Sequence, residues 1–319
     1  MNARPGEFEL IAQLFAPLTR GAPAALGLKD DAALIRMAAE DELVVTTDGL
    51  VEGVHFLAGD PAHTIAQKAL RVNLSDLAAK GAEPVGYFLT LMLPSERPFA
   101  WIRDFASGLA ADGEQFGLPL LGGDTTATPG PFALSVTALG RVPRGGMIQR
   151  AGARAGDLVF VSGTLGDAGA GLELARAAMP EPAELVARYR IPEPRLGLGQ
   201  ALRGLATAGL DVSDGLIADL GHIAEVSGVA IVVDAERLPL SRAIRALWGS
   251  DAPLRAAVCG DDYELAFTVA TANRLEVLER ARASGTVVSE IGRVEAGSGV
   301  RLLAAGRQLP LAKGGWTHF

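Results

Sequence analysis

The first half of the chain alternates helical spacing of apolar residues with short apolar runs. Between residues 61 and 80, apolar side chains recur at the spacing of one helix face (Ile65, Ala69, Val72, Leu77), and Gly81 follows where a helix commonly ends. A second helix is predicted at residues 99–116. Strands are predicted at the shorter apolar runs, residues 42–45, 85–93, 118–121 and 132–142. This mixed order of helices and strands is typical of an α/β domain.

The pattern is interrupted after residue 142. Pro143, Gly145 and Gly146 break it, and a glycine-rich stretch at 152–156 breaks it again. Beyond this break, strands predicted at 157–161, 230–233, 264–269 and 287–294 alternate with helices predicted at 168–178, 194–208, 216–227 and 272–284. Because 319 residues approach the limit of a single core, we predict an α/β (α+β) fold of two domains, residues 1–145 and residues 146–319.

Composition narrows the class of protein. Hydrophobic residues make up 49% of the chain and charged residues 21%, which is typical of an ordered globular protein. No apolar run approaches the ~18 residues of a membrane helix, residues 1–7 lack an apolar signal region, and Cys259 is the only cysteine. We therefore expect a cytoplasmic enzyme without a disulfide or a cysteine-based zinc site. The net charge of −8 and the absence of a basic stripe argue against nucleic-acid binding.

Aspartates gather in short segments rich in Gly, Ser and Thr. These segments lie at residues 30–31, 46–48, 73–76, 122–124, 211–215 and 261–262, and most of them are predicted at chain bends. Each segment alone is common on protein surfaces. Six together are not, since carboxylates repel one another unless cations hold them. The pattern predicts a site for several hard cations, most plausibly Mg²⁺ with phosphates.

Other segments suit phosphates directly. Gly122 and Gly123 let the backbone approach a ligand closely, and the 211–215 segment opens a predicted helix whose N–H groups suit an anion. Residues 141–154 contain four arginines and no acid. The 162–169 turn lacks the glycine spacing of a dinucleotide fingerprint, so we interpret it as a tight turn, with a phosphate contact as the alternative. There is no P-loop motif and no nucleophile elbow.

At these segments the sequence resembles the thiamine-monophosphate kinase family, part of the superfamily of aminoimidazole-ribonucleotide synthetase and selenophosphate synthetase. The resemblance runs nearly end to end. Its motifs stand in one order at residues 6–8, 30–33, 46–48, 53–56, 73–79, 122–126, 211–216, 262–265 and 316–319. Two positions depart from the family pattern: Lys29 stands where the family usually has glycine, and Asp261 where it commonly has glutamate.

The resemblance implies an N-terminal domain that binds ATP and Mg²⁺ and pairs in a homodimer, its strands completing a barrel, and a C-terminal α/β domain that closes the active-site cleft. It implies a shell for several Mg²⁺ ions formed by Asp31, Thr46, Thr47, Asp48, Asp76, Asp124, Asp211 and Asp214, of which Asp48, Asp124 and Asp214 are the expected catalytic residues. It implies ATP contacts from Gly123, Asp124, Arg150 and Ser213, and thiamine-phosphate contacts from His55, Asp261 and Trp316.

Relatives within the superfamily differ in their chemistry. Selenophosphate synthetases carry a reactive Cys or selenocysteine near the N-terminus, whereas Cys259 lies far along this chain. The related hydrogenase-maturation dehydratase ends in a functional cysteine, whereas this chain ends in Phe319. Both are disfavoured. Aminoimidazole-ribonucleotide synthetase remains an alternative, against which the motifs around His55 and Trp316 argue.

The function implied is ATP-dependent phosphorylation of thiamine monophosphate to thiamine diphosphate by direct in-line transfer, the final step of thiamine diphosphate biosynthesis. No nucleophile with a paired base is evident. The acceptor is a phosphate monoester with a second pKa of about 6, so it is largely ionised at neutral pH and needs no general base. A nucleotide- and metal-binding regulator without turnover and a Mg²⁺-dependent phosphatase remain as alternatives.

Overall fold

The chain divides into two compact units in a computed structural model that describes residues 6–179 and 181–310. The first unit comprises Met1–Leu77 and Glu83–Gly145, and the second comprises Ala78–Ala82 and Gly146–Phe319. Each unit has its own sheet, which matches the predicted two-domain α/β class. No helix within the described ranges combines the length and the apolar character needed to cross a membrane.

The first unit contains a four-stranded sheet in the order β1-β4-β2-β3. Its strands are β1 (Asp41–Val51), β2 (Glu83–Pro94), β3 (Leu120–Thr128) and β4 (Ala133–Pro143). β4 pairs antiparallel with β1 and with β2, while β2 and β3 are parallel. The prediction that Asp48 ends a strand and Asp124 follows one is wrong. Asp48 pairs with Val136 and Asp124 with Thr90, so both ladders continue through these acids.

Side chains of β1 alternate between a buried and an exposed face. Val44 and Leu50 are buried, whereas Val45 is 54% exposed. Two long helices, α2 (Ala62–Ala79) and α3 (Phe99–Gln115), follow the short N-terminal α1 (Glu7–Leu10). A Cβ on Gly108 of α3 would stand 2.2 Å from the His63 carbonyl oxygen of α2, so these backbones are in contact. The buried Asp112 of α3 also accepts a hydrogen bond of 2.7 Å from Arg71 of α2.

The second unit contains a seven-stranded sheet in the order β11-β10-β7-β9-β5-β8-β6. Only β10 and β7 are parallel, and the other neighbours are antiparallel. The strands are β5 (Leu158–Ser162), β6 (Ala206–Asp211), β7 (Ala230–Asp234), β8 (Leu265–Val269), β9 (Val288–Glu295), β10 (Gly299–Ala304) and β11 (Arg307–Gln308).

Helices cover both faces of this second sheet. Val159 and Val161 of β5 lie in one core with Leu220, while Phe160 between them lies in the other core with Leu198 and Phe267. This alternation follows from the two-residue period of a strand. The helices are α4 (Asp167–Arg176), α5 (Ala183–Arg190), α6 (Leu196–Ala201), α7 (Leu216–Ser227), α8 (Arg242–Trp248), α9 (Ala252–Val258) and α10 (Arg274–Ala283).

The predicted helix over residues 194–208 is wrong in its second half. The helix ends at Ala201, Gly204 adopts a left-handed φ of 76°, and β6 begins at Ala206. An edge strand of six residues next to a helix carries too few residues to show its own periodicity. Neither sheet in the described chain closes into a barrel, so the barrel across a homodimer stays a prediction.

Candidate active site

Two acids of the first unit, Asp48 of β1 and Asp76 of α2, lie close enough to repel each other. Burial, and secondarily the charge of Asp76, raises the pKa of Asp48 to about 6. Thr46 donates a hydrogen bond of 2.5 Å from its Oγ1 to Oδ2 of Asp76. Among the described residues, no group donates a hydrogen bond to the Asp48 carboxylate. Within the described part of the chain, neither acid forms an ion pair with a cationic side chain.

Thr47 lies on the other face of β1. Its hydroxyl is exposed, donates to the Val136 carbonyl oxygen at 3.1 Å and lies 3.0 Å from Oγ1 of Thr137 on β4. Successive side chains of a strand point to opposite faces, so the Thr47 hydroxyl is not brought together with Thr46 and Asp48. Among the predicted metal ligands on β1, Thr46 and Asp48 are thus the two whose side chains share a face.

A cavity of about 370 Å³ lies in the first unit. The predicted residues Asp31, Gly123 and Asp124 all line it, Asp31 from the bend at residues 30–32 and the other two from β3. Apolar side chains share the lining, among them Phe15 and Leu28. Carboxylates beside apolar surface suit a ligand with a charged end and a flat apolar end, as in a nucleotide held through a cation.

Gly123 has a packing reason to be glycine. A Cβ at this position would stand 1.9 Å from the Leu89 carbonyl oxygen of the neighbouring strand, far inside contact distance. The pairing of β2 and β3 therefore requires a glycine here, whether or not a ligand approaches. An ATP contact at Gly123 stays a prediction.

His55 lies half-buried in the turn after β1. The Val51 N–H donates a hydrogen bond of 3.0 Å to its Nδ1. A ring nitrogen that accepts carries no proton, so the neutral imidazole has its proton on Nε2. This hydrogen bond therefore fixes the tautomer and the orientation of the ring at the end of β1.

In the second unit, the predicted segment 211–215 connects β6 to α7. Asp211 is buried at the end of β6, and Asp214 is half-buried in the turn. The backbone N–H groups of residues 213, 214 and 215 all donate to Oδ2 of Asp219, at 3.0 to 3.1 Å. A carboxylate of the chain therefore occupies these three N–H groups, and an external anion at the start of α7 stays a prediction.

Asp219 is a residue that the sequence analysis missed. Burial, and then the charge of Asp214, raises the pKa of Asp219 to about 7, although its three backbone hydrogen bonds act in the opposite direction. An acid in the first turn of a helix, six residues after Ser213, is a signal that sequence alone offers. That signal marks a helix start, and it does not show that one oxygen accepts from three N–H groups.

The segment before β8 packs directly on residues 212–213. Asp261 N–H donates to the Ser213 carbonyl oxygen at 2.8 Å, and a Cβ on Gly260 would stand 2.3 Å from that same oxygen. Asp261 itself adopts a φ of 71°, which non-glycine residues rarely do. Strained backbone of this kind is frequent at functional sites, so the predicted substrate contact Asp261 is brought next to the predicted ATP contact Ser213.

Glu264, the residue before β8, is fully buried, and its carboxylate pairs with two arginines. Arg188 Nη2 donates to it at 2.7 Å, and Arg195 donates through Nε at 2.7 Å and Nη2 at 2.6 Å. The Ser162 hydroxyl adds a bond of 2.5 Å. Sequence analysis missed both arginines, since their positions 69 and 76 residues before Glu264 carry no local pattern.

Asp262, left without a role by the sequence, has a structural one. It accepts hydrogen bonds from Gly166 N–H at 2.8 Å and Ala168 N–H at 3.4 Å, at the start of α4. Burial raises the pKa of Asp262 well above its usual range. The turn at 162–169 is thus closed by an internal carboxylate, which confirms a tight turn and leaves no N–H at Gly166 for a phosphate.

Arg150, Trp316 and Cys259 complete the residues that the sequence singles out. Arg150 is exposed at the start of the second unit. Trp316 lies outside the described residues. Cys259 is half-buried, and burial together with the charge of Asp262 raises the pKa of its thiol far above the usual value, so it is unsuited to act as a nucleophile.

The residues present fit a magnesium ion that is also bound by substrate. Across residues 6–179 and 181–310, no three His, Cys, Asp or Glu side chains are arranged to hold a metal by themselves. Mg²⁺, however, keeps several waters and is usually bound by one or two carboxylates with substrate phosphates. The cation-free pair of Asp48 and Asp76 matches that requirement.

Comparison with known proteins identifies the family. Residues 29–142 match the model of the AIR synthase related protein N-terminal domain, and residues 154–304 match that of the AIR synthase related protein C-terminal domain. The thiamine-monophosphate kinase of Caulobacter vibrioides is 47% identical over 99% of this chain and 92% of its own.

Solved structures agree with this result. The crystal structure of thiamine-monophosphate kinase from Stenotrophomonas maltophilia has a TM-score of 0.85 at 45% identity, covering 93% of this chain and 96% of that one. AaThiL, complexed with AMPPCP and TMP, has a TM-score of 0.79 at 34% identity over the whole of both chains. The chain therefore belongs to the AIR synthase related proteins and, within them, to the thiamine-monophosphate kinase family.

Proposed function

We propose that the protein transfers the γ-phosphoryl group of ATP to thiamine monophosphate, giving thiamine diphosphate and ADP, the last step in making thiamine diphosphate. The observation that carries this proposal is the half-buried carboxylate of Asp48, which lies near Asp76 and, among the described residues, forms no ion pair with a cationic side chain. The full-length match to kinases with this name supports the choice of substrates, and so does a relative complexed with AMPPCP and TMP.

The reaction requires no covalent intermediate with the protein. The acceptor phosphate is already ionised at neutral pH, so no residue has to remove a proton from it. What remains is to align two anions and offset their repulsion. Mg²⁺ ions held by Asp31, Thr46, Asp48, Asp76, Asp124, Asp211 and Asp214 would neutralise the phosphate charge when bound. The hydroxyl of Thr47, the remaining predicted ligand, faces away from Thr46 and Asp48 and is left out of this set.

Residues of the protein orient the two substrates. We assign Gly123, Asp124, Arg150 and Ser213 to ATP. The apolar cavity lining beside Phe15 and Leu28 is available to the adenine base. We assign His55, Asp261 and Trp316 to thiamine monophosphate. An indole face suits a cationic thiazolium ring. Direct in-line transfer fits this assignment, because among the assigned residues that the structure describes there is no nucleophile with a paired base.

We further propose that the enzyme is a homodimer that pairs through the open face of the β1-β4-β2-β3 sheet. Along β1, Leu43 and Val45 are 44% and 54% exposed, an unusual amount of apolar surface for a strand facing water. Pairing two such sheets would form the barrel expected of the family. A Val45→Lys variant should shift the protein towards a monomer in sedimentation analysis, and unchanged mass would contradict this arrangement.

We also propose a cytoplasmic location, which is consistent with a single cysteine in the chain and with ATP as co-substrate.

One assay tests the function against its alternatives. The protein is incubated with ATP, MgCl₂ and thiamine monophosphate, and the products are followed by phosphorus NMR and chromatography. Equal amounts of ADP and thiamine diphosphate are expected. Inorganic phosphate without thiamine diphosphate would indicate a phosphatase. ATP binding without turnover would indicate a regulator, and turnover only with another acceptor would indicate a different synthetase of the superfamily.

A further inference from the structure

The buried Asp219 holds the turn that carries Ser213 and Asp214. Its side chain is almost completely buried, and its Oδ2 accepts the N–H groups of three successive residues, Ser213, Asp214 and Gly215. Backbone N–H groups that converge at a helix start normally attract a free anion. Here α7 provides the anion from its own first turn, so the turn is complete without a ligand.

The same turn is held from its other side. The Ser213 carbonyl oxygen accepts the Asp261 N–H at 2.8 Å, and the Val212 carbonyl oxygen accepts the Tyr263 N–H at 2.8 Å. The close approach of Gly260 to Ser213 leaves no space for the turn to shift in that direction. The peptide units around Ser213 are therefore fixed at the N–H by Asp219 and at the carbonyl by the segment before β8.

We propose that Asp219 is a positioning residue for the reaction, one that fixes the backbone of residues 213–215 so that Ser213 and Asp214 face ATP and magnesium in one orientation. This inference rests on the proposed function, because it takes from it the assignments of Ser213 and Asp214. Asp219 contacts neither substrate in this scheme. What the turn requires from it is a hydrogen-bond acceptor, and its negative charge is not needed.

That distinction gives an experiment with two substitutions. Asp219→Asn keeps an oxygen acceptor of the same size, and we expect kcat within about threefold of the wild type. Asp219→Ala removes the acceptor and leaves three N–H groups unpaired. We expect it to raise the MgCl₂ concentration for half-maximal activity at least tenfold and to lower kcat about a hundredfold, while KM for thiamine monophosphate changes less than threefold. Calorimetric titration of ATP with and without MgCl₂ should show the same loss without turnover.

The matched control is Asp234→Ala. Asp234 also accepts a backbone N–H, that of Glu236 at 3.0 Å, but it lies on β7, four strand positions from β6 in the sheet. We expect it to leave the magnesium dependence unchanged. Far-UV circular dichroism and thermal melting are recorded for every variant. If Asp219→Ala does not fold, Asp219→Gln replaces it, since one added methylene misplaces the same oxygen, and the same shift is expected.

The outcomes separate this inference from the proposed function. A folded Asp219→Ala with wild-type magnesium dependence of ATP binding would overturn the inference. So would an Asp219→Asn as impaired as Asp219→Ala, because charge rather than an acceptor would then be required. If the wild type makes no thiamine diphosphate but Asp219→Ala still weakens magnesium-dependent ATP binding, the proposed function fails and the positioning role stands.

Discussion

Aspartates with raised pKa values have different surroundings in the two units of this protein. In the first unit, Asp48 has a pKa raised to about 6 and faces another carboxylate, Asp76. In the second, Asp219 has a pKa raised to about 7 by the same main cause, burial, but it accepts three backbone N–H groups. A raised pKa alone therefore does not mark a metal ligand. The groups that surround the carboxylate distinguish a ligand from an internal anchor.

The second unit uses this anchoring repeatedly. Asp262 closes the turn before α4 as Asp219 closes the turn before α7. Both turns contain glycine and both precede a helix, so by sequence they resemble anion sites. In each, an aspartate from within the unit accepts the backbone N–H groups of the turn. A turn before a helix can thus bind either a ligand or the protein's own carboxylate.

The largest expected effect comes from replacing Asp48 by asparagine. If Asp48 is a magnesium ligand, Asp48→Asn removes its charge, and we expect kcat to fall at least a thousandfold, about 4 kcal/mol in the activation barrier. The same change at Asp219 is expected to be tolerated, because an amide oxygen still accepts N–H groups. Steady-state assays of both variants at saturating MgCl₂ test the contrast between the units directly.

Asp41→Asn is the control on the same strand. Asp41 lies at the first residue of β1, 3.8 Å from Arg141, and lines no part of the site. We expect it to keep near wild-type turnover. Comparable activity of Asp48→Asn and Asp41→Asn would contradict the assignment of Asp48.

The sequence predicts ligand candidates better than it predicts their surroundings. Asp31, Gly123 and Asp124 were grouped by composition, and they do line one cavity. The local structure of Asp48 and Asp124 differs from the prediction. The Thr and Gly residues around them are typical of turns, but both segments pair with neighbouring strands and are therefore extended. Asp48 pairs with a residue 88 positions away in the chain and Asp124 with one 34 positions away, so this pairing leaves no local signal.

Anchoring residues were missed for a related reason. Arg188 and Arg195 meet Glu264 only after α5, α6 and β8 have packed. Nothing in the sequence around Arg188 or Arg195 separates them from the more exposed Arg237 and Arg274. Those two arginines also share one carboxylate, that of Glu290. Burial distinguishes the two sets, and burial is a property of the folded chain.

A second prediction compares these two ionic clusters. Glu264→Gln leaves two partly buried guanidinium groups without their anion, and we expect a loss of about 3 kcal/mol in the free energy of unfolding. Glu290→Gln disrupts a cluster whose arginines are nearly half exposed, and we expect a loss of less than about 1 kcal/mol. Urea unfolding of both variants measures the difference. Equal losses would mean that burial does not strengthen the cluster around Glu264.

The last comparison concerns a pH dependence of stability that comes from Asp48, a smaller effect than the loss expected for Glu264→Gln. The pKa of Asp48 rises from 3.8 to about 6 on folding, so the folded state binds this proton more tightly than the unfolded state does. The stability that Asp48 contributes to the metal-free protein is therefore lost as the pH rises from about 4 to about 6. Asp48→Asn has no such titration. In excess EDTA, the unfolding free energy of the variant minus that of the wild type should therefore increase by about 2 kcal/mol between pH 4 and pH 7. Addition of MgCl₂ with ATP at pH 7 should remove most of that difference, since only the wild type keeps the carboxylate that binds the cation. A difference that stays constant with pH would show that Asp48 titrates normally, and Asp48 would then resemble a solvated surface acid more than the acids of the second unit.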